Sequence, residues 1–299
     1  MAVTQIWTIG SLLTWTADFF TRKGVDEPRL SAELLLAHAL DCSRMSLYTR
    51  YEQVPPEPRI AAFRELVKQR AAHVPVAYLI GKAWFFSLEF TVTRDVLIPR
   101  PDTETLVEFV IQHARQRPEW SEAGGGPAIL DLCTGSGAIA IALASQLPTA
   151  TFTATDVSSR ALAVARENAG THSVADRITF LEGDLYNPLD SMPAPTLFHV
   201  IASNPPYIPT AEIERLPETI RAHEPRLALD GGPDGMAIHR QILAGAKGHL
   251  HPAGLLIVEM QFDQGPALQA AFAATSAFTN VRVIRDAAGH PRCVVGTRT

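Results

Sequence analysis

One stretch of the chain combines residue types suited to nitrogen chemistry: Ala202-Ser203-Asn204-Pro205-Pro206-Tyr207-Ile208-Pro209. It follows His199-Val200-Ile201, an apolar run that reads as a short buried strand. Two adjacent prolines lack N–H donors and fix φ, so the turn is stiff and its carbonyls can point outward. The Asn204 carboxamide, with the carbonyl of Asn204 or Pro205, can accept two N–H bonds from a planar –NH2 group, and the Tyr207 ring can lie flat against it. Such a site would hold an amide or amino nitrogen and present it to an electrophile. Asn-Pro and Pro-Pro are also ordinary turn punctuation, so the motif needs its context.

That context begins at Asp131-Leu132-Cys133-Thr134-Gly135-Ser136-Gly137-Ala138-Ile139-Ala140. Gly135 and Gly137 allow a sharp turn and a close backbone approach to a ligand where a helix begins, and Ala140 fills the third small position of G-x-G-x-x-G/A. The next strand ends in Asp156, where an acid would accept both ribose hydroxyls of an adenosine-containing cofactor. The strand after it ends in Gly183-Asp184-Leu185. Asp184 can take an adenine amino group with Leu185 against the ring, or simply cap its own loop. A dinucleotide would place its pyrophosphate over the helix N-terminus. Asp131, just upstream, suits instead the zwitterionic methionine end of S-adenosylmethionine.

The elements that must carry these residues follow from hydrophobic periodicity. From residue 128 onward, strands read at 128–133, 151–156, 178–184, 198–203, 254–260, 280–286 and 292–298. Helices read near 137–147, 158–169, 235–250 and 264–276. This alternation predicts a mostly parallel sheet covered on both faces, with every loop named above at the carboxyl ends of strands, where open α/β sheets bind ligands. Only residues 287–291 join the last two strands, which is too short for a crossover helix, so the final strand must run antiparallel. Seven strands ending this way match class I methyltransferases; a dehydrogenase-type Rossmann domain would not require it.

Upstream, residues 1–75 read as helices near 11–23, with Leu12, Trp15, Phe19 and Phe20 at helical spacing, near 27–40 and near 59–72. Leu30, Leu34, Leu35 and Ala39 form the expected buried face of the second. Short helices of this kind must pack as a small bundle. The bundle carries no evident chemistry, which favours a docking role. Residues 76–98, with the aromatic run Trp84 to Val92, are expected to form a β-hairpin linker, and residues 99–299 the catalytic domain. Asp102 or Thr103 can cap a helix through Leu106, Val107, Phe109 and Val110, and Gly124-Gly125-Gly126-Pro127 reads as a flexible break.

Composition narrows the function classes. The 299 residues are 46% hydrophobic and 19% charged, with a net charge of −5. The first 75 residues hold 9 basic and 8 acidic residues, and the remainder holds the other 17 and 23. An acidic catalytic part argues against a nucleic-acid substrate, which calls for a basic face. Cys42, Cys133 and Cys293 lie far apart with no ligand-spaced His, so neither a disulfide framework nor a metal site is expected. His199, within an apolar strand, reads as a packed residue. Neither a signal peptide nor a membrane span is evident, and a cytoplasmic monomer is expected.

D-x-x-T-G-S-G followed by N-P-P-Y resembles the methyltransferases that act on amino and amide nitrogens. The likeness narrows with Leu97-Ile98-Pro99-Arg100-Pro101-Asp102-Thr103-Glu104, with His223-Glu224-Pro225-Arg226-Leu227-Ala228-Leu229-Asp230-Gly231-Gly232, and with the D-x-x-G-x-x-R pattern from Asp286 to Arg292. Together these resemble the HemK-type release factor glutamine N5-methyltransferases over essentially the whole chain.

The resemblance implies S-adenosylmethionine as cofactor, held by Asp131, Cys133, Thr134, Gly135, Ser136, Gly137, Asp156, Asp184, Leu185 and Asn204. It implies as substrate the Gly-Gly-Gln glutamine of class I peptide chain release factors, bound by Asn204, Pro205, Pro206 and Tyr207, with Asn204, Pro205 and Tyr207 catalytic. Cys133 stands where Gly is common, and Leu185 where some members have Trp. Arg100 and Glu104 are expected at the crevice border in structural ion pairing. Three alternatives remain: glutamine methylation of a large-subunit ribosomal protein, DNA adenine N6-methylation, which needs a base-flipping pocket, and a non-catalytic adapter.

Overall fold

A computed structural model describes residues 6–118, 120, 126–192 and 196–299. Gly124 and Gly125 of the expected break lie outside the described residues. The chain forms two compact units: one runs through Lys82 and includes Pro217–His223, and the other comprises Ala83–Leu216 and Glu224–Thr299. The boundary therefore falls inside the stretch expected as a linker, and the first unit takes in a segment from the later chain.

The first unit holds α1 (Ile9–Arg22), α2 (Pro28–Leu40), α3 (Arg44–Thr49), α4 (Glu57–Ala71) and α5 (Val76–Ile80). Local chemistry sets the helix ends. Thr8 Oγ1 accepts from Ser11 N at 3.1 Å to cap α1, Ser43 does the same for α3, and prolines occupy the first turns of α2 and α4. Leu12, Leu13, Phe20, Leu35, Leu36 and Phe63 are buried together, and Val76, Leu79 and Ile80 pack against the same cluster. That packing draws residues 76–80 into a helix of the first unit rather than into the hairpin. Three expected core positions differ. Trp15 is exposed and stacks on Phe19 at 5.2 Å, because Leu13 and Thr16 take the buried face; in α2, Leu30 and Leu34 are only half-buried while Ala32 and Leu36 lie inside.

Strands β1 (Lys82–Phe85) and β2 (Leu88–Thr91) form a two-stranded hairpin. Its turn residues Phe86 and Ser87 both have positive φ, 51° and 62°, as the tight hairpin turn demands. After α6 (Glu104–Arg115) the second unit continues with β3 (Ala128–Leu132), α7 (Ala138–Gln146), β4 (Thr151–Asp156), α8 (Ser159–Thr171), β5 (Ile178–Glu182) and β6 (Phe198–Ser203). It ends with α9 (Ala237–His249), β7 (Leu250–Glu259), α10 (Gly265–Ala274), β8 (Phe278–Arg285) and β9 (Pro291–Arg298). The seven-stranded sheet has the order β5-β4-β3-β6-β7-β9-β8, and β9 is antiparallel to both neighbours. This is the class I methyltransferase architecture the alternation predicts.

Register positions the chemistry. Leu132 sits level with Thr155 on one side and Ser203 on the other, so the loops that follow β3, β4 and β6 emerge side by side. The strands are apolar on both faces, with Ile129, Leu130, Ile201 and Leu256 fully buried, as a covered parallel sheet requires. His199 is a packed residue: its Nδ1 accepts from Ala128 N at 3.0 Å, its ring lies 4.5 Å from that of His251, and burial lowers its pKa. Among the described residues, no helix is long and apolar enough to cross a membrane.

Candidate active site

The loop after β3 turns through three left-handed residues, Cys133 (φ 59°), Gly135 (φ 57°) and Gly137 (φ 82°). Asp131 lies wholly buried beneath it: Thr134 Oγ1 donates to Asp131 Oδ2 at 2.6 Å, and Ala140 N donates to the same oxygen at 3.2 Å. Its other oxygen, Oδ1, is buried without a hydrogen-bond partner. Burial outweighs the two donors and pushes the Asp131 carboxyl up to about 7. A Cβ on Gly137 would come within 2.9 Å of Ile141 Cδ1 and 3.2 Å of Ala165 Cβ, so this glycine serves the packing of α7 on α8. Gly135, by contrast, has open space where a Cβ would stand.

Asp156, at the end of β4, braces this loop. Its Oδ2 accepts from Gly135 N and its Oδ1 from Ser158 N, each at 2.9 Å, while burial raises its pKa. Asp184 is exposed at the end of the β5 loop, and the following Leu185 is buried with φ 48°. Thr155 Oγ1 donates to Leu185 O at 3.0 Å and ties the two strand ends together.

Asn204 follows β6, and its Nδ2 donates to Thr103 Oγ1 at 3.1 Å. The rest of the Asn-Pro-Pro-Tyr loop is bound to the loop that carries the second family-like motif. Ile208 N donates to Leu229 O at 3.0 Å, Gly231 N to Ile208 O at 2.9 Å and Thr210 Oγ1 to Asp230 Oδ1 at 2.6 Å. A Cβ on Gly231 would meet Tyr207 Cα at 2.7 Å, which explains a glycine there. The Tyr207 hydroxyl turns inward and donates to Glu259 Oε1 at 3.4 Å; burial is the first cause of its raised pKa.

The Pro-Arg-Pro-Asp-Thr-Glu segment is held at each charged position. Arg100 pairs with the buried Glu224, whose Oε2 also accepts from Ile98 N at 3.3 Å. Arg100 thus finds its partner in the His-Glu-Pro-Arg loop. Glu104 instead accepts from Phe86 N at 2.8 Å, fixing the β1–β2 turn. Asp102 pairs with Arg292 at 2.7 Å, and Arg292 pairs with Asp286 at 2.8 Å. Thr103 makes no side-chain cap for α6; its hydroxyl faces Asn204.

Together these loops enclose a cavity of about 350 Å³. Cys133, Thr134, Gly135 and Ser136 line it from one loop, Asp156, Asp184 and Leu185 from the neighbouring strand ends, and Asn204 and Pro206 from the last. Asp131, Gly137, Pro205 and Tyr207 stand behind these walls. Arg100, Thr103 and the half-apolar segment from Pro225 to Ala228 also line it.

Three residues that position the site were not singled out from sequence for that role. Asn168 is buried, accepts from Thr91 N at 2.7 Å and donates to Ser136 O at 3.0 Å, joining hairpin to cofactor-type loop. Thr103 was read only as a helix cap, and Glu259 only as part of a strand. A lone acid inside the apolar run Leu255-Leu256-Ile257-Val258-Glu259-Met260 is a signal in itself, since buried carboxylates need partners.

Cys133 pays for its left-handed backbone. A non-glycine residue there costs about 1–2 kcal/mol, against about 0.5–1 kcal/mol for the extra freedom a glycine loses on folding. Cys133→Gly is therefore expected to raise the melting temperature slightly, by roughly 1–3 °C. A fall on thermal denaturation would show that thiol packing outweighs the strain.

Residues 11–81 match the PrmC N-terminal domain family, and residues 119–232 match the methyltransferase small domain family. The chain is 43% identical over 286 residues to a release factor glutamine methyltransferase of Rhodopirellula baltica, covering 96% of this chain and 95% of the relative. It is 44% identical over 275 residues to one of Moorella thermoacetica, covering 92% and 93%. A solved methyltransferase from Pyrococcus furiosus, 18% identical, superposes with a TM-score of 0.50 over 77% of this chain and 98% of that one, which bears on the fold.

Proposed function

The chain belongs to the release factor glutamine methyltransferase family, and we propose that it methylates the side-chain amide nitrogen of the Gly-Gly-Gln glutamine in class I peptide chain release factors, acting in the cytoplasm. One observation carries this reading. The stiff Asn204-Pro205-Pro206 turn opens onto the same cavity as the Gly135 loop and Asp156, so a nitrogen-holding site and an adenosine-holding site share one chamber.

The residues present fit S-adenosylmethionine. Asp156 supplies a carboxylate for ribose hydroxyls, with lone pairs beyond those its two loop N–H donors use. Asp184 and Leu185 suit the adenine edge and face. Thr134, Gly135 and Ser136 line the route toward the methionine end, with Asp131 behind them holding an unpartnered buried oxygen. When bound, the cofactor supplies an electrophilic methyl group on a sulfonium.

An amide nitrogen is a weak nucleophile because its lone pair is delocalised into the carbonyl. Asn204, which lines the cavity, accepts one of its N–H bonds through Oδ1, and a main-chain carbonyl of the Asn204-Pro205-Pro206 turn accepts the other, which fixes its direction. Most of the rate gain comes from orientation, and carbonyl acceptors also stabilise positive charge developing on nitrogen. Tyr207 acts from behind the wall, stiffening the turn through its hydroxyl and through its carbonyl, which accepts from Gln264 Nε2 at 2.9 Å.

Transfer of label from methyl-labelled S-adenosylmethionine tests the reading, with release factor, its Gly-Gly-Gln→Gly-Gly-Ala variant, ribosomal protein and DNA offered separately. Label on the intact factor alone is expected. Label on ribosomal protein or DNA, or undiminished label on the Ala variant, would sink it.

A further inference from the structure

The turn from Asn204 to Pro209 has few soft torsions. Pro205, Pro206 and Pro209 fix their own φ, and the residues before them, Asn204, Pro205 and Ile208, are held to extended backbone. Beyond Asn204, the freedom that remains lies chiefly where Pro206 joins Tyr207, in the ψ of Pro206 and the φ and ψ of Tyr207. The stiff piece from Asn204 to Pro206 pivots at that join. Any pivot swings the carbonyls that face the substrate nitrogen.

Side chains from two other loops close on the join. Gln264, buried just before α10, donates from Nε2 to Tyr207 O at 2.9 Å. Its Oε1 accepts from Gln261 N at 3.0 Å, which sets the direction of the carboxamide. From the other loop, Asp230 Oδ1 accepts from Thr210 Oγ1 at 2.6 Å and from Gly232 N at 3.0 Å. Backbone bonds run alongside: Ile208 N donates to Leu229 O at 3.0 Å and Thr210 N to Gly232 O at 2.9 Å. A glycine makes the close approach possible, since a Cβ on Gly235 would stand 2.3 Å from Tyr207 O and 2.7 Å from Gln264 Nε2. The other end of the turn is fixed separately, by Ser203 Oγ on Leu132 O at 2.8 Å and by Asn204 Nδ2 on Thr103.

We propose that Gln264 and Asp230 are positioning residues that clamp the Tyr207 join and so aim the turn's acceptors at the substrate nitrogen. The idea rests on the methyl-transfer reading above and deepens it, because both residues act through the turn. A loop of ordinary residues would absorb a small shift at Tyr207 within its own torsions. Two consecutive prolines deny it that freedom, so the shift is carried to the acceptors. A misplacement of about 1 Å costs about a hundredfold in rate, and a loosened clamp costs part of that.

The test compares methyl transfer to release factor by wild type, Gln264→Met, Thr210→Val, Thr210→Ser and Asp230→Asn. Cofactor-binding stoichiometry from calorimetry counts the folded enzyme, so that kcat is expressed per competent site. Gln264→Met and Thr210→Val keep much of the side-chain shape and remove one clamping hydrogen bond. Each is expected to lower kcat about fivefold to twentyfold, with KM for the factor near wild type. Amide exchange at Ile208 and Thr210 should quicken in both, as the backbone bonds of the join open more often. Thr210→Ser keeps the hydroxyl and Asp230→Asn keeps an acceptor oxygen, so both should stay near wild type.

Wild-type kcat in both Gln264→Met and Thr210→Val would overturn the clamp, as would a loss confined to KM. So would Thr210→Ser falling as far as Thr210→Val, a comparison that decides the matter even where Gln264→Met does not fold. A wild-type enzyme that transfers no methyl to the factor would overturn the parent reading, and the clamp's role in transfer with it.

Discussion

Asn204→Ala is expected to lower methyl transfer about a hundredfold to a thousandfold, the usual loss when a positioned polar group is removed from the reacting centre. The substitution takes away the acceptor for one substrate N–H and leaves the Thr103 hydroxyl, to which Asn204 Nδ2 donates, without that donor. The cofactor loop is braced independently, by Asp156 on Gly135 N and by Asn168 on Ser136 O. Affinity for S-adenosylmethionine should therefore stay within about threefold of wild type, since no hydrogen bond of that loop is lost. Calorimetry alongside single-turnover transfer separates the two quantities. If binding weakens in parallel with transfer, Asn204 belongs to the cofactor and not to the substrate.

Asp156→Ala should show the opposite pattern. It removes the acceptor of two backbone N–H groups, each at 2.9 Å, together with the carboxylate offered to the ribose. Hydrogen bonds to a charged group contribute about 1.5–3 kcal/mol each, so two lost contacts amount to roughly a hundredfold or more in cofactor affinity. Transfer at saturating cofactor should recover much of its wild-type rate, because the substrate-side loop is untouched. A variant that binds the cofactor normally would remove Asp156 from the site.

Much of this was legible because it is written locally. Apolar strands with helices between them produce a parallel sheet, and the short connection after β8 forces β9 to run the other way. The strand ends then deliver Gly135, Asp156, Asp184 and Asn204 to one cavity. What escaped depends on partners far away in sequence. Arg100 was expected to pair structurally, and its partner is Glu224, 124 residues on, with Glu104 given instead to a backbone amide. Thr103 reads as a helix cap from its neighbours alone; only the fold brings Asn204, 101 residues later, to its hydroxyl. Tyr207 has the right ring for a wall of the amide site, yet the nearby buried carboxylate turns its hydroxyl inward. β7 begins at Leu250, earlier than expected, because Pro252 and the left-handed Ala253 are accommodated within the strand.

The placement of β9 has a consequence for how the enzyme loses order. β8 neighbours only β9 in the sheet, so the two strands open and reclose as one cooperative foldon at the sheet's edge. The turn of that hairpin is tied by Asp286 and Arg292, and Arg292 also anchors Asp102, one residue before Thr103. A sub-global fluctuation that frees the hairpin thus releases the turn that holds Asn204. Catalytic competence follows the opening free energy of this edge, and the enzyme can fall silent while the rest of the sheet stays protected from exchange.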